Sequence, residues 1–306
     1  MRGTTQSAVI YHTLLNVNRR NLIKNLTLGS LLLPSVFDAK ANFYNDIKLN
    51  KKLKHNINHS VCAWTFSNLS IEELCVLVKK IGFSAIDLVE PKDFATLKKH
   101  GINSSMCTGA QISLTEGWND VKNHKILIEN YTKHINLVAD AGYKNLICFS
   151  GNRNGMSNEV GLKNCVEGLK QILTLAEKRG VTIQMELFNS KIDHVDYMAD
   201  SSAWGIELCK NLGLENFKLL FDIYHMQIME GDIIRTIQTN HQYFGHYHTA
   251  GVPGRNEIGD DQELFYPAIM KTILETGYKG FVAQEFIAKA KNKEKSLEQA
   301  VGICDV

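Results

Sequence analysis

Four side chains of metal-binding type each close a strand-like run. Glu186 follows Val181–Met185, Asp222 follows Phe217–Phe221, His248 follows Tyr243–Tyr247 and Glu285 follows Phe281–Gln284. Successive members are 36, 26 and 37 positions apart, about one strand plus one helix. In a (β/α)8 barrel the C-terminal ends of successive strands converge on one mouth, where the chemistry sits. Three carboxylates and one imidazole converging there suit a single divalent cation. Oxygen donors favour Mg²⁺ or Mn²⁺, and the imidazole admits Co²⁺ or Zn²⁺. A lone strand-end carboxylate is more often a helix cap or half of a surface ion pair. Four in register across consecutive units are poorly explained that way.

The elements that must position these groups alternate along the chain. Val61 to Phe66 reads as a first strand, and Ser70-Ile71-Glu72-Glu73 opens a helix through Ile81 with a capping box. Strands follow at Ser84–Val89, Ile102–Thr108 and Lys144–Phe149, with Pro91 at a helix start and a long amphipathic run from Val121 to Ala141. The helix from Asn158 to Arg179 ends at Gly180, the residue type that terminates helices in the left-handed conformation. Helices are expected at Ser201–Leu212, Met226–Asn240 and Tyr266–Glu275, between the strands ending at Glu186, Asp222, His248 and Glu285. Eight strands alternating with helices predict α/β architecture with a parallel sheet. No Gly-x-Gly-x-x-Gly or Walker pattern follows the first strand, so a single-domain (β/α)8 TIM barrel is favoured over an open doubly wound sheet.

Composition narrows the classes further. Hydrophobic residues make up 44% of the 306-residue chain, and the formal net charge is +2. The basic residues are scattered, without the footprint of a nucleic-acid binder. Seven cysteines cannot all pair, and none are spaced Cys-x-x-Cys, so they read as buried thiols. The first residues differ from the rest. Arg19-Arg20 precedes an apolar stretch from Leu26 to Leu33, then Pro34 and Ala39-Lys40-Ala41. That order predicts a twin-arginine-type signal peptide over residues 1–41, with export to the periplasm; without it the protein would be cytoplasmic. Residues 42–55 form an extension, and residues 56–306 the barrel with a C-terminal helix. No segment has the length and apolarity of a membrane span.

The strings Met185-Glu186-Leu187-Phe188-Asn189, Phe221-Asp222-Ile223-Tyr224-His225-Met226-Gln227, Gly245-His246-Tyr247-His248 and Gln284-Glu285-Phe286 carry a resemblance. Together they resemble the xylose-isomerase-like TIM-barrel superfamily, and within it the hydroxypyruvate isomerase group, over roughly Asn56 to Ala288. The resemblance implies Glu186, Asp222, His248 and Glu285 as ligands of one divalent metal, with Glu186 and Glu285 also moving protons. It implies His225 and Arg255 as substrate contacts. Two departures matter. Ketose 3-epimerases of the family carry a second glutamate six residues after the first ligand, and here that position is Ile192. Some hydroxypyruvate isomerases place glutamine where this chain has His248.

Moving a carbonyl to the neighbouring carbon requires a base that removes one carbon-bound proton and an acid that returns it to the next carbon. Two glutamates beside one metal supply both, and the metal acts as a Lewis acid for the enediolate charge. For hydroxypyruvate the product is tartronate semialdehyde, whose carboxylate needs a cation such as Arg255, Lys191 or Arg153. His246 alternates with His248 and points the same way in a regular pleat, so it is a further candidate substrate contact. Glu90 reads as a helix cap, while Trp64 and Trp118 read as pocket walls or core. The substrate expected is a small hydroxy-keto acid or sugar; a homo-oligomer is left open. A sugar or inositol-derivative isomerase or epimerase, an abasic-site endonuclease and an exported non-catalytic sugar-binding protein are the competing readings. The endonuclease would need a trinuclear zinc site and a basic groove.

Overall fold

The computed structural model describes Leu53–Val306; the expected signal peptide and residues 42–52 of the extension lie outside the described residues. Among these residues eight short strands alternate with helices. They are β1 (Asn58–Val61), β2 (Ala85–Ile86), β3 (Asn103–Ser104), β4 (Asn145–Cys148), β5 (Thr182–Glu186), β6 (Phe217–Asp222), β7 (Phe244–Thr249) and β8 (Phe281–Gln284). All strand pairs are parallel. Strands β4 to β8 pair in chain order, and β8 pairs with β1. Single bridges Cys62–Asp87 and Cys107–Leu146 join the β2–β3 pair to this sheet on both sides, so the ring closes. The result is the TIM barrel that the strand–helix alternation predicts.

The helices are α1 (Ile71–Ile81), α2 (Phe94–His100), α3 (His124–Asp140), α4 (Asn158–Arg179), α5 (Ser202–Leu212), α6 (Ile223–Met229), α7 (Ile233–Asn240), α8 (Tyr266–Glu275) and α9 (Lys293–Cys304). Local signals set their ends. Ser70 and Glu73 form the reciprocal capping box of α1, and Gly180 closes α4 at φ +69°. Each helix then buries an apolar stripe, such as Leu74 and Val78 of α1. Full burial of each such side chain contributes roughly 1.5–3 kcal/mol. The C-terminal helix α9 packs Leu297, Ala300, Val301 and Ile303 inward. All seven cysteines are buried and unpaired, as expected of core thiols. Among the described residues no helix is long and apolar enough to cross a membrane.

Two expected elements differ. The first strand ends at Val61, and Ala63–Phe66 winds into a 3-10 turn. The chain has reached the barrel mouth there, and the turn brings the Trp64 indole onto Glu285. The expected helix from Met226 to Asn240 is two helices. The first starts at once after β6, because the Asp222 carboxylate accepts the Tyr224 and His225 backbone N–H groups and caps it. Gly231 and Asp232, at φ +65° and +46°, then break the chain before α7. Aspartate is among the few non-glycine residues that enter the left-handed region as single residues, so Gly231-Asp232 forms a corner rather than a continuing helix.

One irregularity aligns the site. The β6–β7 register slips between Leu219 and Leu220, so that Leu219 faces Phe244 while Leu220 faces His246. Gly245 is the extra residue, and a Cβ there would fall 2.7 Å from Gln184 Oε1 and 2.8 Å from Lys218 Cβ. Only glycine lets the bulge approach β5 and β6 this closely. Beyond it, Asp222 and His248 stand opposite each other.

Candidate active site

Glu186 is the last residue of β5, Asp222 the last of β6, His248 lies in the last turn of pleat of β7, and Glu285 follows β8. These are four adjacent strands, so one half of the mouth supplies the whole set. One ligand-type atom from each lies within 4.8 Å of the other three, and all four residues are buried. His248 Nδ1 is 2.9 Å from Glu285 Oε2 and 3.2 Å from Glu186 Oε1. Asp222 divides its carboxylate: Oδ1 caps α6, and Oδ2 faces the cluster. Its capping role and a ligand role are therefore compatible, because different oxygens serve them.

Arg255 folds over these acids. Its guanidinium donates to Glu285 Oε2 at 2.5 Å and lies 3.7 Å from Asp222 Oδ2. Trp64 and Tyr224 flank it, with ring centroids 5.3 and 5.5 Å from the guanidinium carbon. The residue adopts φ +57°, a left-handed backbone that the Gly254-Arg255 corner holds. The other two cations considered for a carboxylate are committed elsewhere. Lys191 donates to the Ile228 and Met229 carbonyls at the end of α6, and Arg153 pairs with Asp200 and binds the Tyr197 carbonyl.

A family model described as xylose isomerase-like TIM barrel matches residues 76–304. The chain belongs to that family. Among relatives, the 2-oxo-tetronate isomerase of Cupriavidus necator is 34% identical over 125 residues, 41% of this chain and 47% of that protein. The hydroxypyruvate isomerase of Escherichia coli K12 is 30% identical over 146 residues, 47% of this chain and 56% of that protein. The chain thus spans about half the length of the curated relatives it matches. Among solved structures, the AP endonuclease, family 2, of Brucella melitensis superposes with a TM-score of 0.68 at 23% identity, over 79% of this chain and 96% of that one. At that identity the likeness is one of fold.

Crowding sets the protonation of this xylose isomerase-like site. Burial and the neighbouring Glu285 push Glu186 up to about 7, and burial pushes Asp222 up to about 8. Burial would raise Glu285 too, but Arg255 and His248 outweigh it and hold this carboxyl well below its ordinary range. Burial alone would lower His248; Glu285, Cys62 and Asp87 outweigh it and hold the imidazole well above its ordinary value. Glu186 Oε1 is buried and, although it lies 3.2 Å from His248 Nδ1, makes no well-aligned hydrogen bond among the described residues. Three acids around one imidazole, with a carboxylate oxygen left poorly satisfied, are the donor set a divalent cation takes. The residues present fit such a cation.

The remaining expected residues fall in different places. His225, at the start of α6, is buried beside the cluster, 3.6 Å from Asp222 Oδ2. His246 is fully buried with its Nε2 2.9 Å from Asp87 Oδ2, and its ring lies 5.2 Å from that of His248. Trp118 is core, packed on Tyr131 and His124, whereas Trp64 donates to Glu285 Oε1 at 2.8 Å. Glu90 makes no cap hydrogen bond and pairs with Lys92 at 3.0 Å. Ile192 is 67% exposed on the loop after β5.

Sequence reasoning missed Asp87. It follows β2, is wholly buried, and binds His248 Nε2 at 3.0 Å through Oδ1. Its signal was present: a lone acid inside the apolar run Ala85-Ile86-Asp87-Leu88-Val89 is out of place unless it is paired. The histidines hold its carboxyl far below the usual range against the pull of burial.

Proposed function

We propose that this chain is a metal-dependent isomerase that interconverts hydroxypyruvate and tartronate semialdehyde. The observation that carries the reading is the buried cluster of Glu186, Asp222, His248 and Glu285 with Arg255 folded over it. These four would hold one divalent cation, Mg²⁺ or Mn²⁺ by donor hardness, with Co²⁺ and Zn²⁺ as competitors. When bound, the cation would supply Lewis-acid stabilisation of the enediolate charge.

The chain's own residues do the rest. One of the two glutamates removes a proton from C3 of hydroxypyruvate, and the electron pair moves through the C2 carbonyl to give an enediolate. The other returns a proton to C2 while the proton of the C3 hydroxyl passes to the C2 oxygen, so C3 becomes the aldehyde and C2 the alcohol in an internal redox step without an external oxidant. Arg255 pairs with the substrate carboxylate, for which a planar guanidinium is well suited. His225 contacts a substrate oxygen. His246, seated on Asp87, supports His248 from beneath rather than facing substrate. The similarity to relatives named hydroxypyruvate isomerase and 2-oxo-tetronate isomerase supports a hydroxy-oxo acid. The exposed Ile192, which offers no carboxylate to a sugar, weighs against a ketose 3-epimerase.

Proton NMR of metal-loaded protein with hydroxypyruvate, 2-oxo-tetronate and a panel of ketoses tests the assignment. Tartronate semialdehyde formed from hydroxypyruvate supports it; turnover confined to ketoses assigns an epimerase or sugar isomerase instead. We assign residues 1–41 to a twin-arginine-type export signal on their sequence pattern. Mass spectrometry of the secreted protein's N-terminus, expected just after Ala41, tests that.

A further inference from the structure

We propose that Asn189 is a positioning residue that fixes His225 as its Nε2–H tautomer and thereby aims a hydrogen-bond donor at the carboxylate cluster. The catalytic consequence rests on the isomerase reading; the tautomer itself does not. Asn189 lies three residues past β5 and is fully buried. Its Oδ1 accepts the backbone N–H groups of Ile192 at 3.1 Å and Asp193 at 2.8 Å. The amide orientation is therefore determined, because the flipped form would set its NH₂ against two N–H donors.

The amide nitrogen must then donate. One N–H goes to Asp193 Oδ2 at 2.6 Å, and the other faces His225 Nδ1 at 2.7 Å. A ring nitrogen that accepts carries no proton, so the neutral imidazole keeps its proton on Nε2. That Nε2 is buried, has no hydrogen-bond partner among the described residues, and lies 3.6 Å from Asp222 Oδ2. A donor thus stands beside the cluster, beyond hydrogen-bond distance of Asp222 Oδ2 and unsatisfied among the described residues. Such a buried donor awaits a partner that the described residues do not supply.

The surroundings hold the ring in this pose. Phe188 meets His225 edge-on at 4.9 Å, His194 at 5.3 Å and Tyr224 at 5.1 Å between ring centroids. The Tyr224 hydroxyl donates to Asp193 Oδ2 at 2.8 Å, so the loop after β5 and the start of α6 are tied through one carboxylate. Asn189 is the link between that tie and the imidazole. An oxygen that gains charge in the enediolate would find the Nε2–H already oriented. Loss of one oriented donor of this kind typically costs about 10²–10³-fold in kcat.

The test uses the full-length, Mg²⁺-loaded protein with ¹⁵N-labelled side chains. Two-bond ¹H–¹⁵N correlations, assigned by comparison with His225→Gln, should show His225 protonated on Nε2 with Nδ1 as an acceptor. A through-hydrogen-bond ¹⁵N–¹⁵N coupling between Asn189 Nδ2 and His225 Nδ1 should be present and needs no Asn189 variant. In Asn189→Leu the single-tautomer pattern should be lost, and kcat should fall by at least ~10-fold with a smaller change in KM. A His225 proton on Nδ1 in the wild type overturns the inference, as does an unchanged Nε2–H pattern in a folded Asn189→Leu. If the pattern is as expected and no hydroxy-oxo acid is turned over, the isomerase reading fails and the tautomer assignment stands.

Discussion

The Nε2 atom of His248 sits 3.0 Å from Oδ1 of Asp87, which leaves Nδ1 turned toward Glu186 and Glu285. A carboxylate behind an imidazole fixes its orientation and strengthens its free nitrogen as a ligand. Asp87 is wholly buried, and its other oxygen lies 2.9 Å from His246 Nε2. One carboxylate therefore sets two histidines of the same strand.

Replacing Asp87 should weaken metal binding without touching a ligand. Asp87→Asn preserves volume but removes the charge, and outer partners of this kind typically contribute about 10–100-fold in metal affinity. Competition with a chromophoric chelator measures it. An affinity within twofold of wild type, with the fold intact by circular dichroism, would show that His248 needs no help from Asp87.

Metal binding should release protons. Glu186 is raised to about 7 and Asp222 to about 8, and His248 is held well above its ordinary value. Each must lose its proton to act as a ligand, so a raised value means that affinity falls as pH drops through it. Apparent affinity should rise from pH 6 through pH 8 as the two carboxylates ionise, and flatten only once His248 has lost its proton as well. Calorimetry in buffers of different ionisation enthalpy counts the protons. Binding without proton release would contradict the crowded-acid description.

Much of this was legible in the sequence, for physical reasons. The four candidate ligands could be found because each terminates a run of buried, β-prone residues, and burial on both faces makes such runs near-continuous. Asp87 escaped because the apolar run reads as one strand through Val89, which places the acid inside it rather than at its end, whereas β2 stops at Ile86. The split at Gly231 was masked by apolar periodicity that continues on both sides of the corner, into Ile233 and Ile237 of α7. The bulge at Gly245 left no mark in the pattern; it follows from how closely Gln184 and Lys218 approach, which is a tertiary fact.

Gly245→Ala should therefore be costly for so small a change. The added Cβ would meet Gln184 Oε1 at 2.7 Å and Lys218 Cβ at 2.8 Å. Overpacking of this kind typically costs about 1–3 kcal/mol. Urea unfolding of the two proteins gives the difference directly. Equal midpoints and slopes would mean that the bulge relaxes without penalty.

Arg255→Lys separates charge from shape. The guanidinium lies between Trp64 and Tyr224 and reaches Glu285, a placement that depends on its planarity. Lysine keeps the charge but loses the fork, so kcat/KM for a carboxylate substrate should fall about 10–100-fold, the scale of a charge-assisted hydrogen bond. An uncharged ketose, if turned over at all, should be affected less. Equal losses on both substrates would remove Arg255 from carboxylate recognition.

In the proposed reaction Glu186 and Glu285 move a carbon-bound proton beside a metal. The direct measurement is deuterium incorporation into hydroxypyruvate in D₂O, followed by NMR, with metal content determined in the same samples. Wild-type protein loaded with Mg²⁺ or Mn²⁺ should exchange the C3 hydrogens and form deuterated tartronate semialdehyde. Glu285→Gln that retains metal should lose about 10²–10⁴-fold of that rate, the usual contribution of a positioned acid or base. Exchange that persists at the wild-type rate in metal-loaded Glu285→Gln, or no exchange by fully loaded wild type, would contradict the account.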